Sequence, residues 1–162
     1  MVFRHVRRLR IGGLTKDELL ERLAARSVSL NQYARTLFAD NDFTTSNDVT
    51  DIDLAIVSVP EIGLPDGGTY ADILANAAKV GLRPCPLEVA PHLRLDYLDQ
   101  PAGPYLTVAS LELRPGPDTP NGFYLRRLED GLWLRGYESG PENIYPPDFT
   151  KFVFLLPDRH PD

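Results

Sequence analysis

The chain is short of the cysteines that staple small secreted folds and of the net positive charge that binds polyanions. It has one cysteine, Cys85, in 162 residues. One thiol forms no disulfide within the chain, and it excludes a zinc site built from several cysteines. A reducing compartment fits this usage. Only three lysines, Lys16, Lys79 and Lys151, accompany fourteen arginines, and the formal net charge is −6. That balance excludes generic coating of nucleic acid, which needs a surplus of basic side chains to neutralise phosphates. No uninterrupted apolar run approaches the roughly 20 residues of a membrane helix. The leading segment MVFRHVRRLRIGG carries charge but lacks the apolar stretch of a secretory signal. These features predict a cytoplasmic protein with no membrane partner.

Motifs are missing as well. The sequence contains no phosphate-binding loop, dinucleotide fingerprint, HExxH, GxSxG or EF-hand pattern. His5, His92 and His160 are far apart along the chain, so neither a metal nor a cofactor is predicted. A Cys85–His92 nucleophile pair is conceivable. Flanked by Pro84 and Pro86, however, Cys85 reads more simply as a small buried hydrophobe.

What is present describes a soluble globular chain, 43% hydrophobic and 25% charged. The first 12 residues hold Arg4, Arg7, Arg8 and Arg10 and no acid, which leaves the remainder at −10. This basic segment reads either as a strand paired with the body's own carboxylates or as an arm for an acidic partner.

Residues 4–11 read as a first strand. Thr15 and Glu18 form a capping box for a helix with Leu19, Leu20, Leu23 and Ala24 inward. Asn31 caps a second helix and Thr69 a third, which runs to about Val80. Ile52–Val59 is apolar and β-branched, and reads as a strand. His92–Leu98 alternates, Tyr105–Leu113 reads as another strand, and Lys151–Leu156 as the last. The stretch FYLRRLEDGLWLRGY, residues 123–137, is a hairpin around Asp130-Gly131. The prediction is α+β: about three helices in the N-terminal half and a mostly antiparallel sheet in the C-terminal half, covered on one face. Residues 1–162 read as a single domain, with a subdomain change near residue 82 as the alternative.

Two places suggest chemistry. On a 92–98 strand, His92, Arg94 and Asp96 share a face, with Glu88 upstream and Asp99 and Gln100 just after. Glu88, His92, Asp96 and Asp99 are the candidate residues of a small hydrolase, and a charged solvent face is the plainer reading. In the hairpin, a two-residue Asp130-Gly131 turn pairs Tyr124 with Tyr137, Arg126 with Arg135 and Leu128 with Trp133. Two arginines opposed across a ladder repel, so carboxylates of the body or an anionic ligand must neutralise them. A three-residue Glu129-Asp130-Gly131 loop puts Arg126 opposite Leu134 instead. The ligand-binding candidates are Arg94, Tyr124, Arg126, Trp133, Arg135 and Tyr137. The partner expected is an anionic small molecule, a glycan or an acidic protein segment. The same face could also stack single-stranded nucleic acid, against which the net charge weighs. Pairing through an exposed strand edge is a route to a homo-oligomer.

The segments Cys85–Leu95, Tyr97–Pro101 and Asn121–Leu134, with Lys151–Phe154, resemble a group of small bacterial proteins of no assigned activity, over most of residues 82–155. Members of that group often carry a helicase label. This chain lacks the nucleotide-binding loop, and 162 residues cannot hold two motor domains. The resemblance implies a bacterial origin and carries over no catalytic residue. Without a catalytic constellation, a binding or protein-interaction module is the leading expectation and the hydrolase its alternative.

Overall fold

Helix caps organise the N-terminal half. The Thr15 hydroxyl accepts the Glu18 N–H while the Glu18 carboxylate accepts the Thr15 N–H, and α1 (Lys16–Ala25) follows. Thr69 and Asp72 repeat the arrangement at α3 (Tyr70–Lys79). Asn31 caps α2 (Gln32–Ala39) through Ala34. The computed structural model describes residues 3–116, 118–148 and 150–157.

The strands are β1 (Val6–Ile11), β2 (Ser29–Leu30), β3 (Thr50–Ser58), β4 (Gly68–Thr69), β5 (Leu106–Val108), β6 (Gly122–Leu128), β7 (Gly131–Tyr137), β8 (Ile144–Tyr145) and β9 (Lys151–Leu156). Seven form one sheet in the order β1-β3-β9-β5-β6-β7-β2. It is antiparallel except where β9 meets β5 and β7 meets β2. β4 and β8 form a separate two-stranded ladder. The fold is therefore α+β with a mixed, largely antiparallel sheet.

Helices lie on both faces of this sheet, not one. Leu54, Val108, Phe123, Leu125, Leu134 and Val153 pack on one side with α1, α2 and a fourth helix, α4 (Val89–Asp96). On the other side Ala55, Val57, Phe152 and Phe154 pack against Ile73 and Ala77 of α3. No helix is long and apolar enough to cross a membrane among the described residues.

α4 corrects the expected strand at His92–Leu98. The alternation that suggested a strand spans too few residues to exclude a helix. Pro91 sits in the first helical turn, where its missing N–H has no helical partner to lose. At about 100° per residue His92 and Arg94 point to opposite sides of α4, so the shared face of His92, Arg94 and Asp96 does not exist. β5 is likewise shorter than the expected Tyr105–Leu113.

The hairpin register is also corrected. Leu128 pairs with Gly131, Arg126 with Trp133 and Tyr124 with Arg135, so the turn residues are Glu129 and Asp130. A turn centred on Asp130-Gly131 needs positive φ at both residues. Only the glycine takes it, at 117°, and it sits at the end of the turn. The shift relative to expectation is two residues, so every side chain keeps its face while the opposed arginine pair disappears.

Candidate functional site

Tyr124 and Arg126 on β6 and Trp133 and Arg135 on β7 lie half-buried on one face of the hairpin. Tyr105, just before β5, joins them. The Tyr105 and Tyr124 ring centroids are 5.0 Å apart. Arg126 lies over Tyr105 with Cζ 4.2 Å from the ring centre, and its Nη1 donates to the Tyr105 hydroxyl at 2.6 Å. Arg135 lies 5.0 Å from the Trp133 ring and 5.9 Å from Tyr124. The Trp133 indole N–H donates to Asp130 Oδ1 at 2.8 Å, which orients the ring. The result is a continuous row of Trp133, Arg135, Tyr124, Tyr105 and Arg126.

Neither guanidinium has a carboxylate within 4.0 Å among the described residues; the ion pairs there belong to Arg7, Arg8, Arg10 and Arg114. The Nε atoms of Arg126 and Arg135 are buried without a hydrogen-bond partner. Ring stacking takes one flat side of each guanidinium and leaves N–H edges to meet an anion. Tyr105 was not among the residues singled out in the sequence, yet the alternation that orients Thr107 toward Tyr124 also carries position 105 to that face.

Tyr137 belongs to the interior rather than to this row. It is 8% exposed, its hydroxyl lies 2.8 Å from that of Tyr70, and it donates to the Val108 carbonyl at 3.1 Å. Burial pushes its phenol well above the usual tyrosine value.

Arg94 is corrected as a ligand residue in the same way, because it is 0% exposed. Its Nη1 donates to Gln100 Oε1 at 2.7 Å and to the Trp133 carbonyl at 3.2 Å, and its Nη2 to the Tyr97 carbonyl. Burial, then the neighbouring Arg127, push its pKa down to about 10. Arg127 donates to the carbonyls of Gln100 and Leu98, and Gln100 Nε2 to that of Leu125. These two cations bind the 97–100 segment under the hairpin.

The hydrolase candidates divide into a pair and two outliers. Glu88, 6% exposed, accepts the Ser46 N–H at 3.2 Å through its carboxylate. His92, 9% exposed, accepts the Gly12 N–H on Nε2 at 3.2 Å. Burial holds its pKa below the usual value, against the opposing pull of Glu88. Asp96 turns away to pair with Arg7 at 2.8 Å, and Asp99 is exposed on the loop beyond α4. Both members of the buried pair are occupied in holding the loops after β1 and before β3. Cys85 is buried with its Sγ 3.8 Å from the Val153 carbonyl, and burial pushes its thiol up, which favours the protonated form. No group of three or more metal-ligating side chains occurs among the described residues.

The leading basic segment is resolved in favour of the strand. Arg8 and Arg10 of β1 bond Asp53 and Asp51 of β3 at 3.2 and 3.1 Å. No family model matches the chain, and no curated protein or solved structure matches it.

Proposed function

We propose that this protein is a non-enzymatic interaction module whose hairpin face binds an acidic, extended protein segment. The observation that carries the proposal is the pair of ring-stacked guanidiniums, Arg126 and Arg135, without a carboxylate partner among the described residues. The register makes them diagonal neighbours, which sets their backbones about 7–8 Å apart. Carboxylates on alternate residues of an extended chain repeat at about 6.8 Å. Each can then meet one guanidinium edge, while the intervening rings receive the aliphatic parts of the segment.

The test is fluorescence anisotropy with a dye-labelled hexapeptide of alternating Glu and Thr. Saturable binding that weakens about tenfold or more in R126Q/R135Q, and weakens with added salt, supports the reading. Equal binding by the double variant, or binding of inorganic phosphate with no preference for the peptide, refutes it.

A further inference from the structure

A second site lies beyond Tyr137 on the same side of the sheet. A cavity of about 540 Å³ opens there between the start of α3 and the segments flanking β5, β6 and β7. Its floor is fixed: the Tyr70 hydroxyl donates to the Ser110 carbonyl at 2.8 Å and accepts the Ser110 N–H at 3.0 Å.

Two deeply buried residues each keep an unused polar group in this cavity. Asn121 is 8% exposed, and its Oδ1 accepts the Ser139 N–H at 2.8 Å. That assignment turns Nδ2 the other way, and Nδ2 has no acceptor among the described residues. Ser110 is 1% exposed, and its hydroxyl has no partner there either. Both donors reach the open space of the cavity, and Ser139 Oγ beside them is buried without a hydrogen-bond partner among the described residues, so a ligand acceptor can meet unengaged polar groups here in place of water. At the rim stand Glu112 and Glu138, both exposed and neither in an ion pair among the described residues. Leu74 and the 68% exposed Leu111 supply apolar wall between rim and floor. No Lys or Arg among the described residues lines the cavity, so the charge they give it is of one sign.

We infer that this cavity binds a small organic cation that also carries a neutral carbonyl. The ammonium faces Glu112 and Glu138, the aliphatic linker runs along Leu74 and Leu111, and the carbonyl oxygen accepts from Asn121 Nδ2 and the Ser110 hydroxyl. A carboxylate in place of the carbonyl is disfavoured, because no cation is there to balance it. The site does not depend on the hairpin arginines.

The experiment is a titration of the full-length, ¹⁵N-labelled protein with Nα-acetyl-lysine methylamide, with Nα-acetyl-norleucine methylamide as the uncharged counterpart. The expected result is saturable shifts at the Ser110, Asn121 and Ser139 amides, with the norleucine compound bound roughly tenfold more weakly or worse. E112Q/E138Q removes that discrimination. Ala71→Phe, at an exposed position lining the cavity, blocks both compounds. R126Q/R135Q leaves the titration unchanged, which separates failure of this site from failure of the hairpin reading. Absence of saturable shifts, equal binding of the two compounds, or full affinity in E112Q/E138Q overturns the inference.

Discussion

The sheet carries arginines on two antiparallel ladders and treats them in opposite ways. On β1–β3, Arg8 and Arg10 reach across to Asp53 and Asp51, and each charge is answered by the neighbouring strand. On β6–β7, Arg126 and Arg135 face aromatic rings and no described carboxylate. The first pattern closes a surface to anions. The second keeps cationic edges available on a rigid aromatic platform. The chain as a whole is acidic, so the unanswered arginines are not explained by a shortage of carboxylates.

The contrast can be broken most strongly from beneath the hairpin. Arg94→Ala removes a fully buried side chain and the donors that serve the carbonyls of Trp133 and Tyr97. The expected loss is about 3 kcal/mol or more, measured by urea unfolding. A smaller loss is expected from Gly136→Ala in β7, whose added Cβ falls 2.6 Å from the Tyr33 backbone at the start of α2. Overpacking of this kind costs about 1–3 kcal/mol, and the same unfolding experiment reads it.

The β1 ladder has its own weak point at the Gly12 N–H, held by neutral His92. Burial keeps His92 below its ordinary value of 6.5, so the unfolded chain takes up this proton first as the pH falls. Stability from this contact is present above pH 6.5 and declines as acidification passes below it. Unfolding midpoints compared at pH 7.5 and 5.5 should therefore fall less in His92→Gln, whose amide oxygen accepts the same N–H without titrating. The smallest effect belongs to Arg10→Ala, because the Arg10–Asp51 pair is solvent-exposed. Its melting temperature is expected to match that of the parent chain.

Local signals were legible in the sequence, and long-range ones were not. Thr15 with Glu18 and Asn31 with Ala34 act within three residues, and they cap the helices where the sequence puts them. β9 matches its expected span because a short apolar run bounded by turns has few alternatives. Its insertion between β3 and β5 depends on pairing partners far away in the chain. The seven residues His92–Leu98 read as a strand because so short a run satisfies both a helical and an alternating pattern, and because Pro91 looks like a breaker until its place in the first turn of α4 is known. The strand reading places Arg94 on a surface, whereas it is a buried tie. The hairpin face, by contrast, survived a wrong register, since a slip of two residues preserves which side chains share a side. Which carboxylates stand near Arg126 and Arg135 depends on the whole fold, and composition alone suggested that there would be some.

Trp133 is the sole tryptophan of the chain and lies against Arg135, so its emission reports directly on the hairpin face. The decisive measurement titrates the alternating Glu-Thr hexapeptide into the parent protein, R8Q/R10Q and R126Q/R135Q while following that emission. Saturable changes of similar midpoint in the first two, lost in the third, are the expected result. An unchanged midpoint in R126Q/R135Q, or an equal loss in R8Q/R10Q, would contradict the distinction between the two ladders.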